Sequence, residues 1–305
     1  MDSGPRPWSA SAGMTMPDLT MDPFAHCETL VRKGDKERFL SALFAPEERR
    51  GALFALYAFN LDIARIREVV RNPLAGEIRL EWWREALRGE DRGGIGGNPV
   101  AAALRATILE HGLPEERLTA ILHARSFDLG EDPMRTMVDL ESYAEGTSSN
   151  LIGLAGTVLD RDFPLSETAD LVRHAGIAAG IAGLLKAFPI HARRGQLFLP
   201  LEVLERHGSS AGDVAPGEAS AQLRGALADL RKTACAHLRA ARPHLAAAHP
   251  AALPAFLPVA LTGPVLALMA RRGYDPFAPV DLAPWRKQWL IWRAARISSR
   301  IFAEP

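Results

Sequence analysis

Apolar residues recur at every third or fourth position through most of the chain, which is the spacing of amphipathic helices; the alternation expected of strands is rare. Leu53, Leu56, Phe59, Ile63, Ile66 and Val70 form one such series, which predicts a helix from Pro46 to about Val70 with a single buried stripe. Pro46 suits its first turn, and Glu47 and Glu48 suit the positive end of its dipole. Asp35 is placed to cap a short helix over Lys36–Phe44. Further helices are predicted over Glu77–Arg88 with Trp82 and Trp83, Pro99–His111, Pro114–Phe127, Thr136–Leu159 and Ser166–Ala187. Pro189 is expected to break the pattern there. Three more helices follow over Ala219–Ala241, Ala251–Arg271 and Ala283–Ile301. The Gly-rich run Gly89–Gly97 and the polar segment Gly208–Gly217 read as surface loops. No fixed-period repeat appears, and short connections between helical segments favour one all-α domain.

Composition narrows the class further. The 305 residues are 48% hydrophobic, enough to bury one large core or two small ones. Ala, Leu, Arg and Glu dominate, all good helix formers. Lys plus Arg equals Asp plus Glu at 36 each, so no global charge points to nucleic acid. Cys27 and Cys235 form neither a CxxC motif nor a disulfide framework, which suits a reducing compartment. The weakly charged stretch Ala246–Ala270 contains His249 and four prolines, and reads as a buried or broken helix rather than a membrane span. Residues 1–23 lack the features of a secretory signal or an Arg-rich transit peptide and read as a disordered leader before a domain over 24–305.

Four segments carry a more specific signal. They are Glu37–Phe44 with Ala52–Glu68 and Leu80–Arg84, then Phe127–Leu129, then Asp139–Tyr143, and finally Gly176–Pro200. In this order and at these separations the chain resembles the squalene/phytoene synthase family over about Phe24–Pro305. The resemblance implies an isoprenoid synthase (terpenoid synthase-like) helical bundle around a central cavity. In that family, acidic residues one helical turn apart on two facing helices hold Mg²⁺, which binds a prenyl diphosphate and neutralises the leaving pyrophosphate.

Carried over by position, the first acidic motif falls on Ala64, Arg65 and Glu68, and the second on Ala187 and His191. Gly183 stands where an Asn is usual and Lys186 where an Arg is usual. Asp62 lies on a different helix face and does not replace the missing acid. One carboxylate, Glu68, survives, so no metal and no cofactor is expected; Mg²⁺ enters only if catalysis persists. The flanking Arg193-Arg-Gly-Gln-Leu-Phe-Leu-Pro200 keeps the family pattern. The degenerate site is expected to involve Asn60, Arg65, Glu68, Tyr143, Lys186, His191 and Arg193. Two readings stay open: a cationic pocket for an anionic lipid or prenyl diphosphate without metal, or closure of the site as Arg65 and Lys186 pair with Glu68 and other local acids.

Asp128 and Asp132, or Asp128 and Glu131, share helical spacing that would offer a substitute carboxylate face, but Gly130 and Pro133 signal a helix end. The histidines show no HExxH pattern, and Ser148, Ser149 and His191 have no nucleophile-elbow context. In the last helix Trp285, Trp289 and Trp292 fall at i, i+4 and i+7 among Arg286, Lys287, Arg293, Arg296 and Arg300. That composition suits a helix lying on an anionic membrane surface, or an edge helix whose tryptophans fill the core.

The wording Tyr57–Glu68 and Leu184–His191, followed by Leu197–Pro200, resembles the branch related to the phytoene synthase-like mitochondrial assembly factor of complex I. That resemblance implies a non-catalytic role in assembling the membrane arm of NADH dehydrogenase, with a membrane subunit as partner and a cytoplasmic location at the inner membrane face. Two alternatives stand beside it: a prenyltransferase using Glu68, Asp128 and Asp132, and a metal-free isoprenoid or lipid binder.

Overall fold

The computed structural model describes residues 22–70, 72–90, 97–130, 132–214 and 217–305. Among them every regular element is helical. In chain order the α-helices are α1 (Pro23–Gly34), α2 (Lys36–Ala42), α3 (Glu47–Ala64), α4 (Ile66–Val69), α5 (Pro73–Arg88), α6 (Pro99–His111) and α7 (Glu115–Ser126). They continue as α8 (Met137–Ala144), α9 (Asn150–Leu159), α10 (Ala169–Arg193), α11 (Leu201–Arg206), α12 (Ala221–Ala241), α13 (Thr262–Met269) and α14 (Pro284–Arg296).

The start signals act as their chemistry dictates. Asp35 accepts a hydrogen bond from the Arg38 N–H to open α2, and Asn98 accepts from Val100 and Ala101 to open α6, which Gly112 closes at φ 62°. Thr136 and Asp139 form a reciprocal capping box on α8. Pro46 is the N-cap of α3 rather than its first residue.

Helix α3 departs from the single-stripe expectation. Every residue from Ala52 to Asn60 is buried, so the helix is the axis of the bundle, packed by α1, α6 and α9. It ends at Ala64, where Arg65 turns the chain into the separate short α4. The break near Pro189 does not occur either: α10 runs on to Arg193 with Pro189 buried inside it. Packing around Phe188, Pro189 and Ala192 offsets the roughly 3 kcal/mol that an interior proline costs. Thr136–Leu159 forms one rod, interrupted by a π turn over Glu145–Ser149 that joins α8 to α9. Ala246–Ala270 is mostly 3₁₀ structure, Pro250–Ala255 and Leu257–Leu261, leading into α13, and is largely buried.

Helix α1 was absent from the sequence reading. Asp22 caps it and Pro23 begins it, so the structured domain starts inside the expected leader; residues 1–21 of that leader, most of the Gly-rich run (91–96) and Glu131 lie outside the described residues. One described helix, α10, is long and apolar enough to cross a membrane, but it sits in the core against α12. Its approach to the π turn is close: a Cβ on Gly176 would lie 2.4 Å from the Ser149 backbone nitrogen. Only glycine admits that contact, which sets α10 against the rod that walls the central cavity.

Candidate functional site

Helices α3, α4, α7, α10 and the rod through α8 enclose a cavity of about 460 Å³. Its wall combines apolar side chains, among them Leu61, Leu151 and Leu184, with Arg38, Arg67, Arg125 and Arg194 and the acids Asp35, Glu68 and Asp128. A second cavity of about 300 Å³ adjoins it, sharing Arg67, Arg194, Gln196 and Phe198 and including Asp132.

Each acid of the main cavity is held by an arginine. Asp35 pairs with Arg38; burial pushes its carboxyl pKa up, but the guanidinium and the Arg38 N–H more than offset this and hold it below its usual range. Asp128, at the 3₁₀ turn Phe127–Leu129 that ends α7, accepts from Tyr143 Oη at 2.7 Å and from Arg125 Nη1 at 3.0 Å. Arg125 Nη1 also donates to Tyr143 Oη at 2.8 Å, closing a triangle. Burial is the main cause that raises the Tyr143 hydroxyl far above its ordinary pKa, so it stays protonated and acts as a donor. Glu68 pairs with Arg194 at 3.3 Å across α4 and the end of α10. The Nε atoms of Arg67 and Arg125 are buried without a hydrogen-bond partner.

His191 packs on the Phe198 ring with centroids 4.5 Å apart. Burial first, then Arg194 and Arg125, lower its pKa to about 4, so it is neutral at neutral pH.

Of the residues expected at the site, Asn60, Glu68, Tyr143 and His191 line the cavity wall, together with Ala64 and Ala187. Three expectations need correction. Arg65 is exposed, with its guanidinium against Gly34, and Arg193 is exposed on the far side of α10; Arg67 and Arg194 line the cavity in their stead. Lys186 lies outside the main cavity, bridging Glu37 and Asp281, both at 2.9 Å. Arg67 lies in α4, beyond the break at Arg65, so its spacing from Ala64 in the sequence did not signal its place in the cavity. Arg125 was signalled by its i, i+3 spacing from Asp128. Asp62 accepts from Arg79 and from Trp83 Nε1 at 2.9 Å, so it anchors α5 and faces away from the site.

Mg²⁺ asks for several oxygen donors converging on one point. Here Ala64 and Ala187 present methyl groups, His191 an imidazole, and Glu68 a carboxylate already bound to Arg194. Asp128 is locked by Arg125 and Tyr143, and Asp132 lies in the adjoining cavity. Among the described residues no three His, Cys, Asp or Glu side chains group as metal ligands. The residues do not fit the ion. The arrangement is one of fixed guanidinium donors beside a half-apolar cavity.

Comparison with known proteins agrees with this architecture. A family model described as squalene/phytoene synthase matches residues 31–293. A Rattus norvegicus protein described as NADH dehydrogenase (ubiquinone) complex I, assembly factor 6, is 32% identical over 272 residues, covering 89% of this chain and 80% of the relative. An Arthrospira platensis phytoene synthase is 24% identical over 308 residues, covering 96% and 98%. The crystal structure of a dehydrosqualene synthase in complex with ligand superposes with a TM-score of 0.76 at 17% identity, over 90% of this chain and 95% of that one. That likeness establishes the all-α fold.

Proposed function

The chain belongs to the squalene/phytoene synthase family, and from that premise we propose that it is a non-catalytic member that acts in the assembly of NADH dehydrogenase (complex I). The observation that carries this reading is the donor set of the cavity. Where two facing helices would have to supply carboxylates for Mg²⁺, α3 and α10 supply Ala64, Ala187 and His191, and the Glu68 that survives is neutralised by Arg194. Ionisation of a prenyl diphosphate needs its departing charge stabilised by metal, and this wall offers no place for it. Assembly-factor relatives at about a third identity supply the role. The partner proposed is a membrane subunit of that complex, and the site of action is the cytoplasmic face of the membrane that holds it.

Two measurements test this. Deleting the gene lowers the abundance of assembled NADH dehydrogenase, and Glu68→Ala restores it as well as the wild-type chain does. Purified protein with farnesyl diphosphate and Mg²⁺ releases no pyrophosphate. Unchanged complex abundance, or pyrophosphate release that Glu68→Ala abolishes, sinks the reading.

A second reading has its own support. The unpartnered Nε atoms of Arg67 and Arg125, in a cavity of about 460 Å³ that also has apolar lining, suit a phosphorylated prenyl or lipid molecule held without metal. It predicts binding of farnesyl diphosphate in EDTA that Arg67→Ala weakens; equal binding by both proteins removes it.

A further inference from the structure

Helix α14 divides its side chains unusually. With about 100° of turn per residue, Trp285, Trp289, Trp292 and Arg296 form one stripe, and Lys287, Ile291 and Ala294 lie on the opposite side. The second set faces the protein: Ile291 and Ala294 are buried, and Lys287 bridges Glu37 at 2.9 Å and Asp281 at 2.6 Å. The tryptophan stripe faces outward, with Trp285 69%, Trp289 46% and Trp292 49% exposed. The edge-helix expectation, in which these tryptophans fill the core, is thereby excluded. Arg293 lies over the Trp289 ring at 4.7 Å and Arg296 over Trp292 at 5.8 Å. Arg286, Arg293, Arg296 and Arg300 form no ion pair among the described residues. The nearby acids are engaged elsewhere: Asp281 by Lys186 and Lys287, Glu304 by Arg239 and Arg242.

We propose that this face of α14 docks peripherally on the surface of an anionic lipid bilayer. The occupant follows from three features. Indole rings are amphipathic and favour the zone between lipid headgroups and acyl chains. Guanidinium groups that flank them and lack acids inside the protein match the phosphates of that zone in charge and geometry. The face is one convex helix, not a groove, so it presents a narrow apolar ridge to insert rather than a pocket to receive a side chain. The neighbouring α2 packs against α14, and Leu43 and Phe44, which follow α2, are also exposed. This inference is independent of the assembly role, because lipid binding needs no protein partner.

The test uses the full chain and co-sedimentation with vesicles of phosphatidylcholine alone or mixed with phosphatidylglycerol. The wild-type protein binds the anionic vesicles, binds the neutral ones weakly, and loses affinity as salt rises. The pair Arg293→Glu and Arg296→Glu lowers partitioning by more than about tenfold, whereas Arg293→Lys with Arg296→Lys stays within about twofold. Trp289→Ser with Trp292→Ser removes the part of binding that resists salt. If the Glu pair does not fold with wild-type circular dichroism, the Gln pair takes its place and loses binding in the same direction. No binding to anionic vesicles, equal binding to both vesicle types, or a charge-reversed variant that binds like wild type overturns the proposal. A face that engages a protein subunit while ignoring vesicles overturns it equally.

Discussion

The arginines in the wall of the central cavity and those on the outer face of α14 treat their charge differently. In the cavity Arg38, Arg125 and Arg194 each hold an acid of the same wall. On α14, Arg293 and Arg296 lie over tryptophan rings and, among the described residues, hold no acid. A cation with its counter-ion beside it, withdrawn from water, is part of the architecture, and breaking the pair leaves a buried charge. A cation without one on the surface contributes little to folding and remains free to meet an external anion. The cavity therefore uses its charges to keep its own shape, and α14 keeps its charges outward.

Among the charged groups the largest expected effect lies in the triangle of Arg125, Asp128 and Tyr143. Arg125→Ala strands a mostly buried carboxylate and should lower unfolding stability by about 3 kcal/mol, read from urea denaturation. A loss under about 1 kcal/mol would mean that the cavity arginines resemble those of α14 after all, and the contrast would fail.

A pH titration gives the next effect. The folded protein holds the His191 pKa at about 4 against an ordinary 6.5, mainly through burial. Between those values the unfolded chain takes up the proton and the folded chain does not, so stability is full above about pH 6.5 and falls as pH drops toward 4. The urea midpoint of wild type should decline over this window more steeply than that of His191→Gln. Parallel declines would show that Arg125 and Arg194 do not press on the imidazole as the geometry indicates.

These sites also show how far the sequence could be read. The Asp35 cap located the start of α2, and the helix starts expected at Pro99 and Thr136 lie within a residue of those of α6 and α8. Tertiary packing overrode local signals at Pro189, and proline spacing concealed the 3₁₀ turns of Pro250–Leu261. Helix α1 was overlooked because a Pro-, Ser- and Gly-rich stretch precedes it and obscures the Asp22 cap. In the site, the residue types were legible and the register was not. The helix breaks at Arg65, where φ is −96° and ψ −2°, and the chain turns so that Arg67 points inward and Arg65 outward. The pairs Lys186–Glu37 and Arg194–Glu68 join residues 149 and 126 positions apart, a distance that only the folded bundle closes.

Glu68→Ala tests the weakest of the cavity pairs. Both partners are over a third exposed, so screening limits their interaction and the stability loss should stay below about 1 kcal/mol. A loss as large as that of Arg125→Ala would mean that Glu68 is buried in solution and held more firmly than this pair allows.

The smallest effect belongs to α14. Arg293→Ala removes an exposed group with no acid partner and should change unfolding stability by no more than about 0.5 kcal/mol, while Trp289→Ala, whose ring is half-exposed, should cost about 1 kcal/mol. Trp83→Ala is the matched control, since that ring is fully buried, packs edge-on against Phe59 and donates to Asp62; it should cost about 4 kcal/mol. The gap between the two tryptophans separates a side chain that folding requires from one that it does not. If Trp289→Ala cost as much as Trp83→Ala, the stripe would be core after all, and its outward arginines would be left with no external anion to explain them.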